Sequence, residues 1–389
     1  MKNLTAFLLL NIFFTFSTFA QVKYFSSLTG IISPYLEYKP RGVLTEKEAA
    51  NKNHYRVKYR KDGRIAEIAF YKRNLPNNKA YFKTHKVVYS YQKDKIIRTY
   101  FNHNDERSVL WRHYYGGGEI HKEEFHLNAN GDKSILQFYD TMGKRIATSL
   151  GAFRYEWETL SENAFIQRQW NEDKELIILT PYFPFRVAKI TTDSLGHLYE
   201  IINLDAKTEK ITLHHEGGYA KVVFDFDSFG NEMGWAFFDE NGNAINRKLS
   251  QNMDYGYSKW IYTTRWLNKE KGLMLSFTEK YLDASGQQVT NNYGIYAIKY
   301  TRNTLGDFKS MEFYGISNKK IIHPTQGFCR LEVDYNKKGD EKEVRYYNSE
   351  GELMNNLQNG VAIQQFIYDN NRNIKEIRQF DSNNNPIKS

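Results

Sequence analysis

The sequence predicts an all-β protein, in which about ten tandem β-hairpins form a single elongated, twisted or spiralling antiparallel sheet. Glycines recur through the C-terminal half at spacings of 38, 38, 33 and 33 residues, and a turn-forming residue usually follows twelve positions later. Apolar and polar residues alternate on both sides of each turn, which is the period of a strand with one buried face. The recurring glycines are Gly218, Gly256, Gly294, Gly327 and Gly360.

Each repeat unit has the pattern of one hairpin. In the unit that begins at Gly218, Val222 and Phe224 alternate with polar residues before the turn, and Trp235 and Phe237 are the matching apolar residues after it. Two such strands joined by a short Gly, Asn or Asp turn form a hairpin. A β-propeller with paired units in each blade is the alternative architecture. The units begin near residues 51, 82, 119, 151, 184, 218, 256, 294, 327 and 360.

Three irregularities interrupt this pattern. Glu123 and Arg168 fall at positions where a buried apolar residue is expected. In the unit that contains Arg168, Trp170 occupies the following predicted buried position of the same strand. The unit that begins at Gly256 aligns with the other units only if six residues after Asn268 are treated as an insertion. We therefore expect local departures from the repeat at these places.

The first 20 residues have the organisation of a secretory signal peptide. Lys2 precedes an apolar run from Leu4 to Phe16, and Ala20 is the predicted last residue removed. The run is shorter than the about 20 apolar residues of a membrane-spanning helix, so we expect no membrane span in the mature chain. No cysteine lies near the cleavage point, which argues against a lipoprotein. The predicted location is the periplasm or the extracellular space.

Residues 21–50 form a lead-in, and residues 51–389 form one continuous hairpin array without a linker. Thr45 and Glu48 have the spacing of a capping box, which predicts a short helix in the lead-in. We expect this helix to cover the exposed edge of the first hairpin, because repeat arrays need a cap at their ends.

Charge and cysteine content favour a soluble folded protein without a concentrated basic patch or a reactive thiol. The formal charge of +9 becomes +8 once Lys2 is removed, but no run of five like charges occurs. We interpret the basic residues as a solvated face and expect no nucleic-acid partner. The only cysteine, Cys329, is expected to be a small buried hydrophobe.

No pattern of catalytic, cofactor-binding or metal-ligating residues is found. Asp225, Asp227 and Asp239 place oxygen atoms near turn glycines, as calcium sites do, but β-turns require the same residue types. His214 and His215 are adjacent and lack the spacing of a zinc site. We therefore expect no catalytic residue, no cofactor and no metal, and a protein that is not an enzyme.

Aromatic residues between the predicted strands are the candidate binding residues. Tyr182, Phe183 and Phe185 fall between two units beside two prolines, and Trp266 falls at an expected turn. Aromatic side chains on the loops of a rigid scaffold often contact partners or sugars. The alternative interpretation is that these rings fold back and become part of the core.

The turn segments resemble YD repeats, the hairpin units of RHS-type proteins, and are also similar to bacterial hairpin repeats of the MORN-variant kind. The resemblance implies a spiralling β-sheet, which in RHS-type proteins often encloses a C-terminal toxin. Here the last unit reaches Ile387, so we expect no toxin or sorting domain behind it. The matching stretches are FDSFGN at 226–231, YDTMGK at 139–144 and YDNNRN at 368–373.

These observations favour an exported, non-catalytic repeat scaffold that binds another envelope or extracellular component, either a protein or a glycan, and that could be a subunit of an envelope complex. One alternative is a carbohydrate-binding or carbohydrate-acting protein that uses the loop aromatics. Another is an immunity protein to a secreted toxin, which rests on family analogy alone. A free sheet edge or an uninterrupted apolar groove favours the scaffold, whereas a cluster of carboxylates at one end of the sheet favours the carbohydrate alternative.

Overall fold

The computed structural model describes residues 19–30, 32–110, 117–248 and 254–387. Its regular structure is almost entirely β, and the 24 strands belong to one antiparallel sheet that is not closed. This confirms the predicted fold class. Of the predicted signal peptide, residues 1–18 lie outside the described residues, and the backbone of Phe19 and Ala20 begins the first strand.

The ten predicted hairpins are present, and each consists of two consecutive strands. They are β3 (His54–Arg60) with β4 (Ile65–Lys72), β6 (Lys86–Tyr91) with β7 (Lys95–Phe101), β8 (Lys122–Leu127) with β9 (Lys133–Tyr139), β11 (Arg154–Ser161) with β12 (Ala164–Trp170), β13 (Val187–Thr192) with β14 (Leu198–Leu204), β15 (Lys221–Phe226) with β16 (Glu232–Phe238), β17 (Lys259–Asn268) with β18 (Leu273–Leu282), β19 (Ala297–Arg302) with β20 (Phe308–Tyr314), β21 (Arg330–Tyr335) with β22 (Glu341–Tyr347), and β23 (Ile363–Tyr368) with β24 (Ile374–Phe380). The other elements are β1 (Phe19–Thr29), β2 (Lys39–Leu44), the helix α1 (Glu46–Ala49), the two-residue strands β5 (Leu75–Pro76) and β10 (Arg145–Ile146), and a 3₁₀ turn at Ile316–Asn318.

Successive hairpins hydrogen-bond to one another, so the array is one sheet and not a set of separate blades. β13 pairs with β14 along most of its length, and residues 200–202 of β14 then pair with residues 221–223 of the next hairpin. The propeller alternative is wrong, because its blades would be separate sheets. Among the described strands, β2 pairs only with β1 and β24 only with β23, so these two are the sheet edges.

Side chains of Asp and Asn build the turns, which explains why these residues recur. Between β15 and β16, the Asp227 carboxylate accepts hydrogen bonds from the backbone N–H groups of Phe229 at 2.9 Å and Asn231 at 3.0 Å. Gly230 follows with a φ of +77°, a conformation that favours glycine. Asp239 accepts the same type of bonds in the turn after β16. These carboxylates are therefore engaged by backbone donors, as turn formation requires.

The lead-in joins the sheet, contrary to the expectation that it stands outside the array. β1 pairs with β3, so β1, and not the helix, covers the edge of the first hairpin. The predicted helix is present as α1: the Thr45 hydroxyl accepts a bond from the Glu48 N–H at 3.2 Å, and the Thr45 N–H donates to the Glu48 carboxylate at 2.9 Å. The adjacent Ser26 and Ser27 interrupt the period-two pattern of β1 and hide this strand from sequence reasoning.

The sheet rolls so that the turns of successive later hairpins contact the N-terminal strands, one turn after another. We call this line of contacts the seam. Because each turn meets a different segment of the N-terminal region, residues far apart in sequence lie side by side there. The hydrogen bonds that mark the seam join Lys39 to Leu195, Arg41 to Asn231, Ser26 to Lys271, Arg73 to Asn336, and Arg372 to Pro76.

The inward face of the rolled sheet holds the core, and a buried ion pair explains the irregularity at Glu123. Arg98 lies directly opposite Glu123 in the ladder, both side chains are 0% exposed, and their charged atoms are 3.4 Å apart. Arg98 also contacts Glu37 at 2.7 Å, in the loop that connects β1 to β2. Burial opposes ionisation of Glu37, but Arg98 and Lys133 outweigh it and lower its pKa to about 2. The ion pairs therefore anchor this loop on the inward face.

The inward residues of β12 differ from the prediction. Gln167 and Gln169 are fully buried, whereas Trp170 is half-buried on the opposite face, so the prediction that Trp170 is buried in this column is wrong. Gln169 Nε2 donates to the carbonyl oxygens of Ile177 at 2.6 Å and Phe185 at 3.0 Å. Buried amides are tolerated when they are hydrogen-bonded in this way, and a pattern of hydrophobicity does not detect them.

The six residues inserted after Asn268 lengthen a hairpin. β17 and β18 have ten residues each, whereas β19 and β20 have six and seven. The extension carries the turn to residues 269–272, where Lys271 contacts Glu48 at 2.5 Å across the seam. The insertion therefore serves the contact between α1 and the seventh hairpin.

Candidate functional site

Asp307 is the central charged residue of the seam. It lies in the turn between β19 and β20, and its side chain is 0% exposed. Lys72 Nζ is 2.8 Å from Oδ1, Arg73 Nη2 is 3.3 Å from Oδ2, and Asn53 Nδ2 donates to the carboxylate at 2.8 Å. Burial opposes ionisation, but Lys72 and the hydrogen bonds outweigh it and lower the pKa of Asp307. An anionic Asp307 thus joins the first hairpin to the eighth.

A cavity of about 680 Å³ lies beside Asp307 and is lined from both sides of the seam. β1, β3, β4 and residues 79–83 form one wall, and β17–β22 with their turns form the other. Its volume lies within the range of pockets that hold small ligands. Four cationic side chains and two acidic ones line it, namely Lys72, Lys79, Lys83 and Arg302, with Asp307 and Glu341.

Arg302 is a cation of this cavity that forms no ion pair with the described residues. Lys79 contacts Glu341 at 3.2 Å, and Lys72 is paired with Asp307. Across the described parts of the chain, no carboxylate lies within ion-pair distance of the Arg302 guanidinium, whose Nη1 donates to the Gly306 carbonyl at 3.2 Å. Burial lowers the pKa of Arg302, and the nearby Tyr335, Tyr55 and Asp307 oppose this shift without outweighing it. A guanidinium has five N–H donors, so most of them are available to a ligand.

Aromatic rings form part of the cavity walls and are held in place by hydrogen bonds. The Tyr335 hydroxyl donates to the Phe308 carbonyl at 2.8 Å, and the Tyr55 hydroxyl accepts from the Tyr81 N–H at 2.8 Å. Phe70 lies in the same wall. Tyr55 is 7% exposed and lies against Phe70, whereas the half-buried Tyr335 ring has Lys72 Nζ 4.5 Å from its centre.

Exposure of the inward face increases along the array. Between β3 and β16 its apolar columns are fully buried, as Val57, Leu136 and Val222 are. From β17 onward most inward residues are half-buried, and in β24 Ile374 and Ile377 are 52% and 44% exposed. The last hairpin therefore presents apolar side chains together with a strand edge that is open from Ile374 to Arg378.

Two carboxyl groups, Glu232 and Glu279, face inward near this change. The hydroxyls of Tyr262 and Tyr300 donate to Glu232 and Glu279, respectively, each at 3.4 Å. Burial raises the pKa of Glu232 to about 7 and that of Glu279 well above its ordinary value. Glu232 is an exposed residue of this inward face, whereas Glu279 is 7% exposed.

The aromatic residues between β12 and β13 lie mostly in the core, as the alternative interpretation expects. Phe183 and Phe185 are 3% and 0% exposed, and the Phe183 ring lies 5.3 Å from the Trp235 ring. Tyr182 is half-buried, and its hydroxyl donates to the Asp254 carboxylate at 2.7 Å. A contact of Phe183 or Phe185 with a partner would require this segment to leave the core.

Trp266 lies within β17, not on a turn. It is half-buried and pairs with Met274 of β18, because the turn has moved to residues 269–272. The predicted binding role of Tyr182 and Trp266 stays a prediction.

Sequence reasoning missed Arg302, although a signal for it exists. The residue eight positions after each repeat glycine is aromatic in three of the last five units, at Phe226, Tyr335 and Tyr368, but it is Arg302 in the Gly294 unit. A cation in a largely aromatic inward column is a departure of the same kind as Glu123. Lys72 and Asp307 gave no such signal, because their contact depends on how the sheet rolls.

Within the described residues, no helix combines the length and hydrophobicity needed to cross a bilayer. The same residues contain no group of three or more His, Cys, Asp or Glu side chains placed to share a metal ion. Cys329 is fully buried.

No protein-family model and no curated protein matches the chain. Among solved structures, it is similar to TcdB2-TccC3-TEV, with 10% identity over 90% of this chain and 16% of that chain and a TM-score of 0.31. It is also similar to the Photorhabdus luminescens Tc holotoxin pore, with 10% identity over 86% and 19% and a TM-score of 0.30. A porin-like protein from Bacteroides uniformis shares 12% identity over 67% and 87%, with a TM-score of 0.22. The chain thus spans less than a fifth of the length of the two toxin chains, and its function has to be argued from its own residues.

Proposed function

We propose that this chain is an exported, non-catalytic repeat scaffold that binds another protein of the cell envelope or the extracellular space. The last hairpin carries this proposal. Among the described strands, β24 pairs only with β23. At the end of its outer edge the Gln379 carbonyl accepts a hydrogen bond from the Ile387 N–H at 2.8 Å and Phe380 bridges to Pro386, so the open part, with which a strand of a partner can pair, runs from Ile374 to Arg378. Ile374 and Ile377 expose apolar surface beside that edge, which pairing with a partner would bury.

The rest of the chain supports a scaffold. Tandem units that share one sheet stabilise each other through their neighbours and create an extended surface. The turn carboxylates Asp227 and Asp239 are engaged by backbone N–H groups, so their recurrence is explained without catalysis. The predicted signal peptide supports export, and the resemblance of the turns to YD repeats supports a relationship with RHS-type or MORN-variant arrays.

Co-purification tests the proposal. The chain is tagged, purified from its native envelope fraction in mild detergent, and the proteins that accompany it are identified and quantified by mass spectrometry. Ile377→Glu places a charge on the apolar face of the last hairpin, and we expect it to remove a stoichiometric partner. Val43→Glu is the matched control, because Val43 is an apolar residue that is 61% exposed at the other sheet edge.

A partner that is lost with Ile377→Glu and retained with Val43→Glu supports docking on the last hairpin. A partner retained by both variants contradicts this docking site. A chain that purifies alone and monomeric from every fraction contradicts the scaffold itself. Thermal unfolding of both variants checks that they are folded, which we expect because both positions are exposed.

A further inference from the structure

We propose that the seam cavity binds a small acidic saccharide of about one to three rings that carries carboxylate or sulfate groups. This site is separate from the last hairpin, so the proposal does not depend on protein docking there. It supports the carbohydrate-binding alternative at a place that the loop aromatics did not indicate. Arg302 supplies the recognition of charge, and the half-buried Tyr335 supplies aromatic surface for a sugar ring.

The charge of the ligand follows from the pairing of the cavity residues. Glu341 and Asp307 are both matched by lysines, whereas Arg302 has only the Gly306 carbonyl as a hydrogen-bonded partner among the described residues. Asp307 also attracts Arg302, but it already pairs with Lys72 and Arg73, so an anion in the cavity would supply negative charge that this cluster lacks. The planar guanidinium fits the two oxygen atoms of a carboxylate or sulfate, which makes the pairing bidentate.

The walls favour a saccharide over a simple anion. The cavity of about 680 Å³ is far larger than a sulfate or phosphate ion needs. The half-buried Tyr335 ring is fixed by the hydrogen bond from its hydroxyl to the Phe308 carbonyl, so a sugar can pack on its accessible part without a loss of side-chain entropy; Tyr55, which is 7% exposed, adds little surface. Ser27, Asn303 and Thr304 add hydroxyl and amide groups that suit sugar hydroxyls. The expected export places the cavity where acidic glycans occur.

Isothermal titration calorimetry on the mature chain tests the site. The probe is a sulfated disaccharide of a uronic acid and N-acetylgalactosamine, with lactose as the neutral disaccharide and sodium sulfate as the bare anion. Arg302→Met removes the guanidinium and keeps a long apolar stem. Arg330→Met is the matched control, because Arg330 lies in the next hairpin on the outward face, where it pairs with Glu332 at 3.3 Å.

We expect one site for the sulfated disaccharide, at least a tenfold loss of affinity with Arg302→Met, and less than a twofold change with Arg330→Met. Lactose and sulfate are expected to bind at least tenfold more weakly than the disaccharide. Arg302→Lys keeps the positive charge but loses the planar guanidinium, and we expect an affinity between those of the wild type and Arg302→Met. If Arg302→Met does not fold, Arg302→Lys tests the site in its place.

Three results would overturn the proposal. No detectable binding of the sulfated disaccharide at millimolar concentration contradicts a saccharide site. Equal losses with Arg302→Met and Arg330→Met would mean that the anion responds to net charge and not to the cavity. Sulfate that binds as tightly as the disaccharide would mean that contacts with the sugar rings add no affinity, so the cavity would not be a saccharide site. A failure here leaves docking on the last hairpin untouched, because Ile377→Glu reports on a different surface.

Discussion

Removal of the charge of Asp307 should open the seam. Asp307→Asn keeps the size of the side chain but leaves Lys72, only 7% exposed, without its carboxylate. Removal of one partner of a buried ion pair costs about 3–5 kcal/mol, because the other charge stays buried and unmatched. Arg73 adds less to this cost, since it is 25% exposed and also donates to two backbone carbonyls.

Hydrogen exchange at the seam measures this loss directly. The Asn53 N–H donates to the Leu305 carbonyl at 2.8 Å across the seam, so its exchange reports the opening of this contact. A loss of about 3–5 kcal/mol corresponds to roughly a hundredfold to several-thousandfold faster exchange, provided that wild-type protection is at least that large. Asp334→Asn is the matched control: Asp334 is 58% exposed and pairs with Arg345, and an exposed pair contributes about 0–1 kcal/mol.

Acid should act in the same direction as the substitution. The folded chain lowers the pKa of Asp307, so ionised Asp307 stabilises the fold above the unfolded pKa of about 3.9, and this contribution disappears as the pH falls through the folded pKa. In Asp307→Asn that part of the acid sensitivity should be missing. If Asn53 exchanges no faster in Asp307→Asn than in Asp334→Asn, the ion pair does not hold the seam. The double variant Asp307→Leu with Lys72→Met should recover most of the loss, because it leaves no charge unmatched.

Three further predictions concern other parts of the chain. Glu123→Ala should lower the free energy of unfolding in urea denaturation by less than the cost of a fully unmatched buried charge, about 3–5 kcal/mol, because Arg98 keeps Glu37 at 2.7 Å. A combination of Glu123→Leu with Arg98→Met should recover part of the loss, because Glu37 then keeps Lys133, and equal costs for both variants would contradict the ion-pair explanation. The folded chain raises the pKa of Glu232 to about 7, so it binds more protons than the unfolded chain between about pH 4.5 and 7, and this group lowers stability as the pH rises through that window. Glu232→Gln should therefore shift the urea midpoint upward at pH 8 and leave it nearly unchanged at pH 4, whereas an equal shift at both values would contradict the raised pKa. Intact mass of the exported chain should show Gln21 as its first residue, and retention of residues 1–20 would contradict the signal peptide.

The sequence was sufficient for the repeat and for most of its buried columns. Strands with one buried face have a period of two, and the turns need Asp, Asn and Gly at fixed places. Both patterns depend on residues close in sequence, so they can be recognised from the sequence alone. Positions such as Val222 and Phe237 could therefore be placed without a structure. β1 could not, because its serines interrupt the alternation, and neither could the burial of Gln169, whose Nε2 donates to carbonyl oxygens outside its own hairpin.

The candidate site was much harder to predict, because it depends on the roll of the sheet. Lys72 and Asp307 are separated by most of the array, and nothing in either repeat unit indicates that they meet. The irregular positions were more informative than the regular ones: Glu123 marks a buried ion pair, and Arg302 marks a cavity. A charged residue in an inward column of a repeat array is therefore a useful sign of a contact that the repeat itself does not explain.

The seam and the cavity are physically linked, which connects stability with binding in this fold. In an open repeat array each unit is stabilised mainly by its neighbours, so the two ends are free to separate. Here Asp307 holds the first hairpin against the eighth and also lines the cavity between them. A ligand that contacts both walls binds only while the seam is closed, so it must stabilise the closed state by mass action. The sulfated disaccharide should therefore slow exchange of the Asn53 N–H in the wild type, and it should do so less in Arg302→Met, even though neither residue lies in the last hairpin where a partner protein is proposed to dock.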